Sequence, residues 1–191
     1  MKLYFSPGAC SLAVHIALRE AGKTPDLVKV DLASHRTAAG DDYFAVNPRG
    51  YVPLLELDDG SRHTEVAALL QHIGGPVPLE VAEWTAFVAT ELHKVFSPWL
   101  WHKETGDATR KACNDKLAQR FTELDAVLAT RSFLAGDTFS VADAYAFTIV
   151  SWAPMLGIKL TPYPQLAAYL GRIAQRPGVH AALLAEGLVK A

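Results

Sequence analysis

Before residue 75, short apolar runs alternate with helical spacings; beyond it only helical spacings remain. Lys2–Phe5 is an apolar run stopped by Ser6, Pro7 and Gly8, a combination that turns the chain. Leu12, Ala13, Ile16, Ala17 and Ala21 then recur at helical spacing, and Gly22 stands where a helix closes. Asp26–Asp31 alternates as a strand does. Residues 52–57 form another strand run, and Asp58, Asp59 and Gly60 turn it into a short return strand through Arg62 and His63. Thr64 is expected to cap a helix from Glu65 to about Ile73. This order predicts a βαβ unit, a hairpin and a helix, with a four-stranded sheet covered by helices.

Gly74, Gly75, Pro76, Val77 and Pro78 form the best linker in the chain, since the run suits neither a helix nor a paired strand. Beyond it, Trp84, Phe87, Val88, Leu92, Val95, Phe96 and Trp99 predict one long amphipathic helix. Leu117, Phe121, Leu124 and Leu128 mark another, and Leu166, Leu170 and Ile173 a third. Ser140 with Asp143 three residues on has the form of a capping box. The helix that follows is apolar almost all round, so it is expected to run through the middle of its domain. The expected organisation is an α/β domain over residues 1–74, a linker over 75–82 and an all-helical domain over 83–191.

Half of the 191 residues are hydrophobic and a fifth are charged, an ordinary globular balance. The net charge is -2 with no Lys/Arg run, which argues against a nucleic-acid partner. The first ten residues lack the basic start and apolar core of a secretory signal. The most apolar stretch, residues 141–158, is interrupted by Asp143, Ser151 and Pro154 and is a poor membrane span. A cytoplasmic protein with no membrane partner is therefore expected. Two cysteines cannot build a disulfide framework or a zinc site. The histidines show no metal-ligand spacing, and there is no phosphate loop, so neither a metal nor a nucleotide cofactor is expected.

Candidate chemistry starts at Cys10. It follows a strand and a turn at the start of a helix, where free N–H groups and the helix dipole favour a thiolate. The local pattern suits a reactive thiol or a small buried hydrophobe equally. Cys113 precedes the Leu117 and Phe121 stripe and reads as packing. Val52 and Pro53 put a proline where strand pairing should begin, which a cis peptide would explain. Such a bond would turn the Val52 N–H and C=O outward, open to an extended peptide. At Thr64, Glu65 and Val66 a helix start offers N–H groups to a carboxylate, and Glu65 offers a negative partner to an amino group. In the long helix Ala86, Thr90, His93 and Ser97 are expected to share one face, with His93 able to donate to a thiolate.

Assembled, these residues resemble the cytosolic glutathione transferases, and within them the bacterial beta class. The likeness is carried by MKLYFSPGACSLAVHIALREAG, VKVDLASHRT, NPRGYVPLLELDDG, ELHKVFSP, FLAGDTFSVADAY and AEGLVKA. The resemblance implies a thioredoxin-like domain, a helical domain, a homodimer and glutathione as co-substrate, with no covalently bound cofactor. It implies that Cys10 is the active-site cysteine, able to form a mixed disulfide with glutathione. Val52 would pair with the cysteinyl backbone, Pro53 would be the cis-proline, and Glu65 would hold the γ-glutamyl amino group. His93 would approach the sulfur, with Thr90 and Lys94 at neighbouring contacts; His35, Tyr51 and Val66 complete the glutathione-binding set. Tyr4 and Ser11 are fallback hydrogen-bond donors to the sulfur.

Four positions depart from that class. Val66 stands where Ser or Gly is usual, His35 where lysine is, and Ala86 where asparagine is common; the interdomain link is shorter. The first functional expectation is conjugation of glutathione to a hydrophobic electrophile, with Trp99 and Trp101 as apolar walls or as helix packing. The alternatives are glutathione-dependent thiol–disulfide exchange through Cys10, with no CxxC to assist it, and a non-catalytic ligand- or partner-binding module.

Overall fold

A computed structural model describes residues 1–190. The fold is a mixed α/β sheet domain and a helical domain, in two compact units. One unit contains Met1–Gly75 together with the segment from Arg176 onward, and the other contains Pro76–Gln175.

The first unit is built on a five-stranded sheet in the order β3-β2-β1-β4-β5. Strand β1 (Lys2–Phe5) runs parallel to β2 (Asp26–Asp31), with Leu3 opposite Leu27. The connecting helix α1 (Ser11–Glu20) provides the crossover that parallel strands require. On its other side β1 pairs antiparallel with β4 (Leu54–Glu56), Leu3 now facing Leu55. Strand β4 turns back into β5 (Arg62–His63). The fifth strand, β3 (Arg36–Thr37), was not expected; two polar residues carry too little pattern to betray a strand. Helix α2 (Val66–Gly74) follows the hairpin.

Three boundaries differ from expectation. Strand β4 starts at Leu54 rather than at residue 52, because Pro53 has no N–H to enter a ladder. Helix α2 starts at Val66, not Glu65, and Thr64 is not its cap. Glu65 is the capping position, with φ of +70° that no helix interior accepts. The linker is shorter than residues 75–82, since Pro78 already caps helix α3 (Leu79–Phe87).

In the second unit the long helix is not uniform. After α3 comes a π-helical turn, Val88–His93, then the short helix α4 (Lys94–Phe96), which a cis Ser97–Pro98 peptide follows. A π turn winds more residues per turn and rotates every later side chain. The expected common face of Ala86, Thr90, His93 and Ser97 is therefore not formed: Thr90 is exposed while His93 is buried. Helices α5 (Asp107–Leu128), α6 (Val141–Val150), α7 (Trp152–Met155) and α8 (Pro164–Ala174) complete the unit. Residues 142–150 of α6 are all buried. Its capping box is formed, and Asp143 does more than cap. Its carboxylate accepts from the Ser140 N–H at 2.8 Å, the Leu134 N–H at 2.9 Å and the Tyr169 hydroxyl at 2.8 Å. Burial pushes the Asp143 carboxyl up from the ordinary range, outweighing the hydrogen bonds that pull it down.

The last helix, α9 (Pro177–Ala185), corrects the expected domain over 83–191, whose final residue, Ala191, lies outside the described residues. Helix α9 belongs to the first unit, where it packs on α1. The cause is a fully buried carboxylate. Glu186, just past α9, accepts from the Gly8 N–H at 3.0 Å and pairs with His15 Nδ1 at 2.9 Å. Both the Glu186 and His15 side chains have no exposed surface. At the other end of α9, Arg176 Nε donates to Glu20 at 3.0 Å.

Removing one partner of a buried pair strands the other in a dry site, at a cost of about 3–5 kcal/mol. Glu186→Ala should lower the stability of the folded chain by that order in urea-unfolding measurements. Its effect should exceed that of Arg176→Ala, whose partner Glu20 lies nearer the surface.

Candidate active site

Cys10 occupies the capping position of α1, with backbone angles already helical (φ -58°, ψ -19°). It is half-buried, and its thiol donates to the Val52 carbonyl at 3.3 Å. The turn that delivers it is fixed from two sides. On one, Ser11 accepts the Ser6 N–H at 3.2 Å and donates to the Ser6 carbonyl at 3.3 Å. On the other, Glu186 holds the Gly8 N–H. The Ser11 hydroxyl is fully buried and its proton is already used, which removes it as a fallback donor to sulfur. Tyr4 belongs to a packed cluster with Val30, Tyr43, Val52 and Leu54.

Val52 lies opposite Cys10 at the head of β4, and the Val52–Pro53 peptide is cis. The approach to it is held by side chains that bond to the backbone. The Tyr51 carbonyl accepts from Asn47 Nδ2 at 2.7 Å and from the Tyr43 hydroxyl at 3.0 Å. Burial pushes the Tyr43 phenol up to about 12, so it stays protonated and keeps donating. Gly50 has φ of +71°, and a Cβ there would fall 2.6 Å from the Phe44 ring, so the loop needs glycine. His35 Nδ1 pairs with the Gly50 carbonyl at 2.9 Å, and its ring stacks on Phe44 at 4.4 Å. The Val52 carbonyl does not face open solvent, as the sequence suggested, because the Cys10 thiol covers it.

Glu65 and Val66 sit at the start of α2. Glu65 holds a positive φ without being glycine, a strain of about 1–3 kcal/mol that clusters at functional positions. Its exposed carboxylate accepts from the Tyr51 hydroxyl at 2.9 Å and from Arg49 Nη1 at 3.3 Å. Arg49 also reaches Thr64 Oγ1 at 3.3 Å. Sequence reasoning missed Arg49. It lies in a turn closed by the Gly50 N–H on the Asn47 carbonyl at 2.9 Å, where periodicity gives no signal. Val66 is buried, leaving only its backbone to face a ligand.

In the second unit, His93 Nδ1 pairs with the Tyr145 hydroxyl at 2.7 Å, and the His93 ring lies edge-on to Trp152 at 5.3 Å. Tyr145 was also missed, although it lies two residues beyond the capping-box Asp143. Thr90 spends its hydroxyl on the Ala86 carbonyl at 3.0 Å, and Lys94 is exposed. Cys113 is buried on α5. Among the described residues no cluster of three His, Cys, Asp or Glu side chains could hold a metal, and no helix is long and apolar enough to cross a membrane.

A thioredoxin-like sheet with a cysteine at a helix start, a cis-proline strand opposite it and a separate helical unit define the class of fold. Residues 7–74 match the glutathione S-transferase N-terminal domain, and residues 87–177 match its C-terminal domain. The chain belongs to the glutathione S-transferase family and is an enzyme of that class. It is 42% identical to the glutathione S-transferase GstA of Escherichia coli O157:H7, covering 98% of this chain and all of that one. It is 38% identical to glutathione S-transferase GST-4.5 of Xanthomonas campestris, with the same coverage. Among solved structures, a sphingomonad glutathione S-transferase in complex with glutathione superposes with a TM-score of 0.92 at 44% identity, covering 99% of this chain and all of that one. A beta-class enzyme of Sphingomonas chungbukensis gives the same values.

Ser11→Ala would leave the Ser6 N–H without its acceptor inside the fold, at about 1–3 kcal/mol. Urea unfolding should record that loss. Alkylation of the native protein should still label Cys10, because the serine hydroxyl is not aimed at the sulfur.

Proposed function

We propose that this protein conjugates the thiol of glutathione to small apolar electrophiles, with Cys10 at the glutathione site. The observation that carries this reading is the Cys10 thiol resting on the Val52 carbonyl at the head of β4. A peptide pairing with Val52 needs that carbonyl for its own N–H. Its arrival displaces the Cys10 Sγ–H and leaves the protein sulfur beside the incoming sulfur. In the reaction the glutathione thiolate attacks the electrophilic atom, a C–S bond forms, the leaving group departs with its electron pair, and the thiol proton passes to solvent. Holding the two reactants together provides much of the rate, since oriented reactants behave as if highly concentrated.

In this reading Glu65 takes the γ-glutamyl ammonium, displacing Arg49, and the Val66 N–H at the start of α2 takes the neighbouring carboxylate. Tyr51 keeps the Glu65 carboxylate aimed, and His35 acts by holding the Gly50 carbonyl and hence the strand edge. His93 serves the sulfur from the helical unit, poised by Tyr145, with Thr90 and Lys94 as outer contacts. The protein acts as a cytoplasmic homodimer. A second reading, disulfide exchange through Cys10, is favoured by the half-exposed state of that thiol while Cys113 is buried. There Cys10 attacks a glutathione disulfide, releases one thiolate, and a second glutathione thiolate attacks the mixed disulfide and frees Cys10.

Incubation with oxidised glutathione should give a reductant-removable adduct on Cys10 and none on Cys113, read by peptide mass spectrometry. Cys10→Ala should abolish the adduct. If conjugation persists in that variant while disulfide reduction disappears, Cys10 belongs to the redox activity; absence of both adduct and turnover in the native chain would overturn the proposal. Glu65→Gln removes a charged partner worth about 1.5–3 kcal/mol, so the KM for glutathione should rise by about 10-fold or more with kcat little changed.

A further inference from the structure

Arg49 leaves the main chain of the first unit from a fixed point. Its N–H donates to the Asn47 side-chain oxygen at 3.2 Å, and Asn47, only 3% exposed, donates in turn to the Tyr51 carbonyl at 2.7 Å. The Arg49 side chain is held far more loosely. One nitrogen, Nη1, makes all of its hydrogen bonds: to the Tyr51 hydroxyl at 3.1 Å, to Thr64 Oγ1 at 3.3 Å and to Glu65 Oε1 at 3.3 Å. That nitrogen has fewer hydrogens than acceptors, while Nε and Nη2 make no hydrogen bond among the described residues. The Arg49 and Glu65 side chains are 61% and 63% exposed. An ion pair that is wet and made through one long contact holds its partners weakly.

The Glu65 carboxylate is thus occupied by a cation of the chain itself. Its other donor differs in kind: the Tyr51 hydroxyl reaches the same oxygen at 2.9 Å without carrying a charge. An incoming ammonium group has to replace the guanidinium and can leave the phenol in place. The displaced guanidinium stays close, since it lies beside Thr64 and the start of α2. There it presents Nε and Nη2, the paired donors that match the two oxygens of a carboxylate. An α-amino acid end carries an ammonium and a carboxylate on one carbon. It can take Glu65 from Arg49 and give Arg49 a better partner in return.

We propose that Arg49 is a specificity-determining residue: it competes for Glu65 in the free chain and, once displaced, binds the carboxylate of the α-amino acid end that displaced it. The inference rests on the glutathione reading above and adds a residue to it. The exchange makes the site demand both charges. A ligand with the ammonium alone must break the Arg49–Glu65 pair and receives nothing back. A ligand with both charges trades one long contact for a two-bond fork. Breaking an exposed pair costs about 2- to 5-fold in binding, which is the handicap Arg49 places on a ligand without the carboxylate. The fork outweighs that handicap by about 3-fold or more, because both of its bonds are charge-assisted and parallel.

The test titrates the native chain, Arg49→Ala and Arg49→Lys by calorimetry with two peptides. One is S-methyl glutathione; the other is the same peptide with its γ-glutamyl α-carboxylate converted to a primary amide. The S-methyl group keeps thiol chemistry at Cys10 out of the measurement. Arg49→Ala should bind S-methyl glutathione more weakly by about 3-fold or more, yet bind the amide about 2- to 5-fold more tightly than the native chain does. A lysine can still sit on Glu65 but has no fork. Arg49→Lys should therefore leave amide binding within about two-fold of native and weaken S-methyl glutathione as the alanine variant does. A merely structural Arg49 would move both peptides in the same direction, and that result, or unchanged binding of both, would overturn the assignment. Failure of the native chain to bind S-methyl glutathione at millimolar concentration overturns the glutathione reading and this inference with it. Binding without the change of sign overturns the exchange alone.

Discussion

A carboxylate taken wholly out of water must find donors inside the protein or forfeit its charge, and Glu186 finds its donors at the opposite end of the chain. One oxygen takes the Gly8 N–H and the other His15. The first donor belongs to the turn that delivers Cys10 and the second to the helix that Cys10 begins. The final helix therefore completes the sheet unit. The turn is also closed from within by Ser6 and Ser11, so the thiol emerges from a segment braced on both flanks. This bracing gives meaning to a 3.3 Å contact between Cys10 and Val52, because a loosely held loop would sample many such distances. A site that must hold reactants within fractions of an ångström depends on this kind of support.

Much of this architecture is legible in the sequence because it is written in local periodicity. The alternation in Asp26–Asp31, the Asp-Asp-Gly turn at 58–60 and the Ser140 and Asp143 pair each have their cause within a few residues. The features that sequence reading misplaced have causes outside that range. Glu186 reads as an ordinary acidic residue after a helix, and nothing nearby reveals partners 171 and 178 positions away. The π turn at Val88–His93 is invisible to a search for 3.6-residue spacing, which assigns Thr90 and His93 to one face by assuming regular winding. Glu65 shows the same limit in a single residue. An acidic residue before an apolar run reads as the first turn of a helix, and only the backbone angle reveals it as the strained cap.

The departures from the beta-class pattern also look different once their surroundings are known. Val66 cannot offer a hydroxyl, yet the groups that a helix start presents to an anion are its N–H donors, which valine retains. His35 is shorter than a lysine, but its ring is engaged with the Gly50 carbonyl and the Phe44 face. That engagement replaces a contact at a distance with support for the strand edge. The glutathione side of the proposed site is thus made largely of main-chain groups whose positions depend on turns and packing. Such a site tolerates side-chain substitution where a site of side-chain donors would not.

The helical unit follows the opposite logic. Its exposed apolar surface is made of side chains: Trp99 and Trp101 on a loop, the latter packed on Trp152. The loop folds on turns of its own, such as the Trp101 N–H on the Pro98 carbonyl at 3.1 Å, and Arg110 of the following helix adds bonds to three of its carbonyls. A main-chain site suits a co-substrate that never changes, since its geometry is set by the fold. Side-chain surface suits electrophiles that differ in shape, because exposed rings can be exchanged while the backbone stays as it is. On the proposed reading, the two halves of this chain divide recognition along that line. The fixed reactant is read by backbone together with the Glu65 carboxylate, and the variable one by side-chain surface.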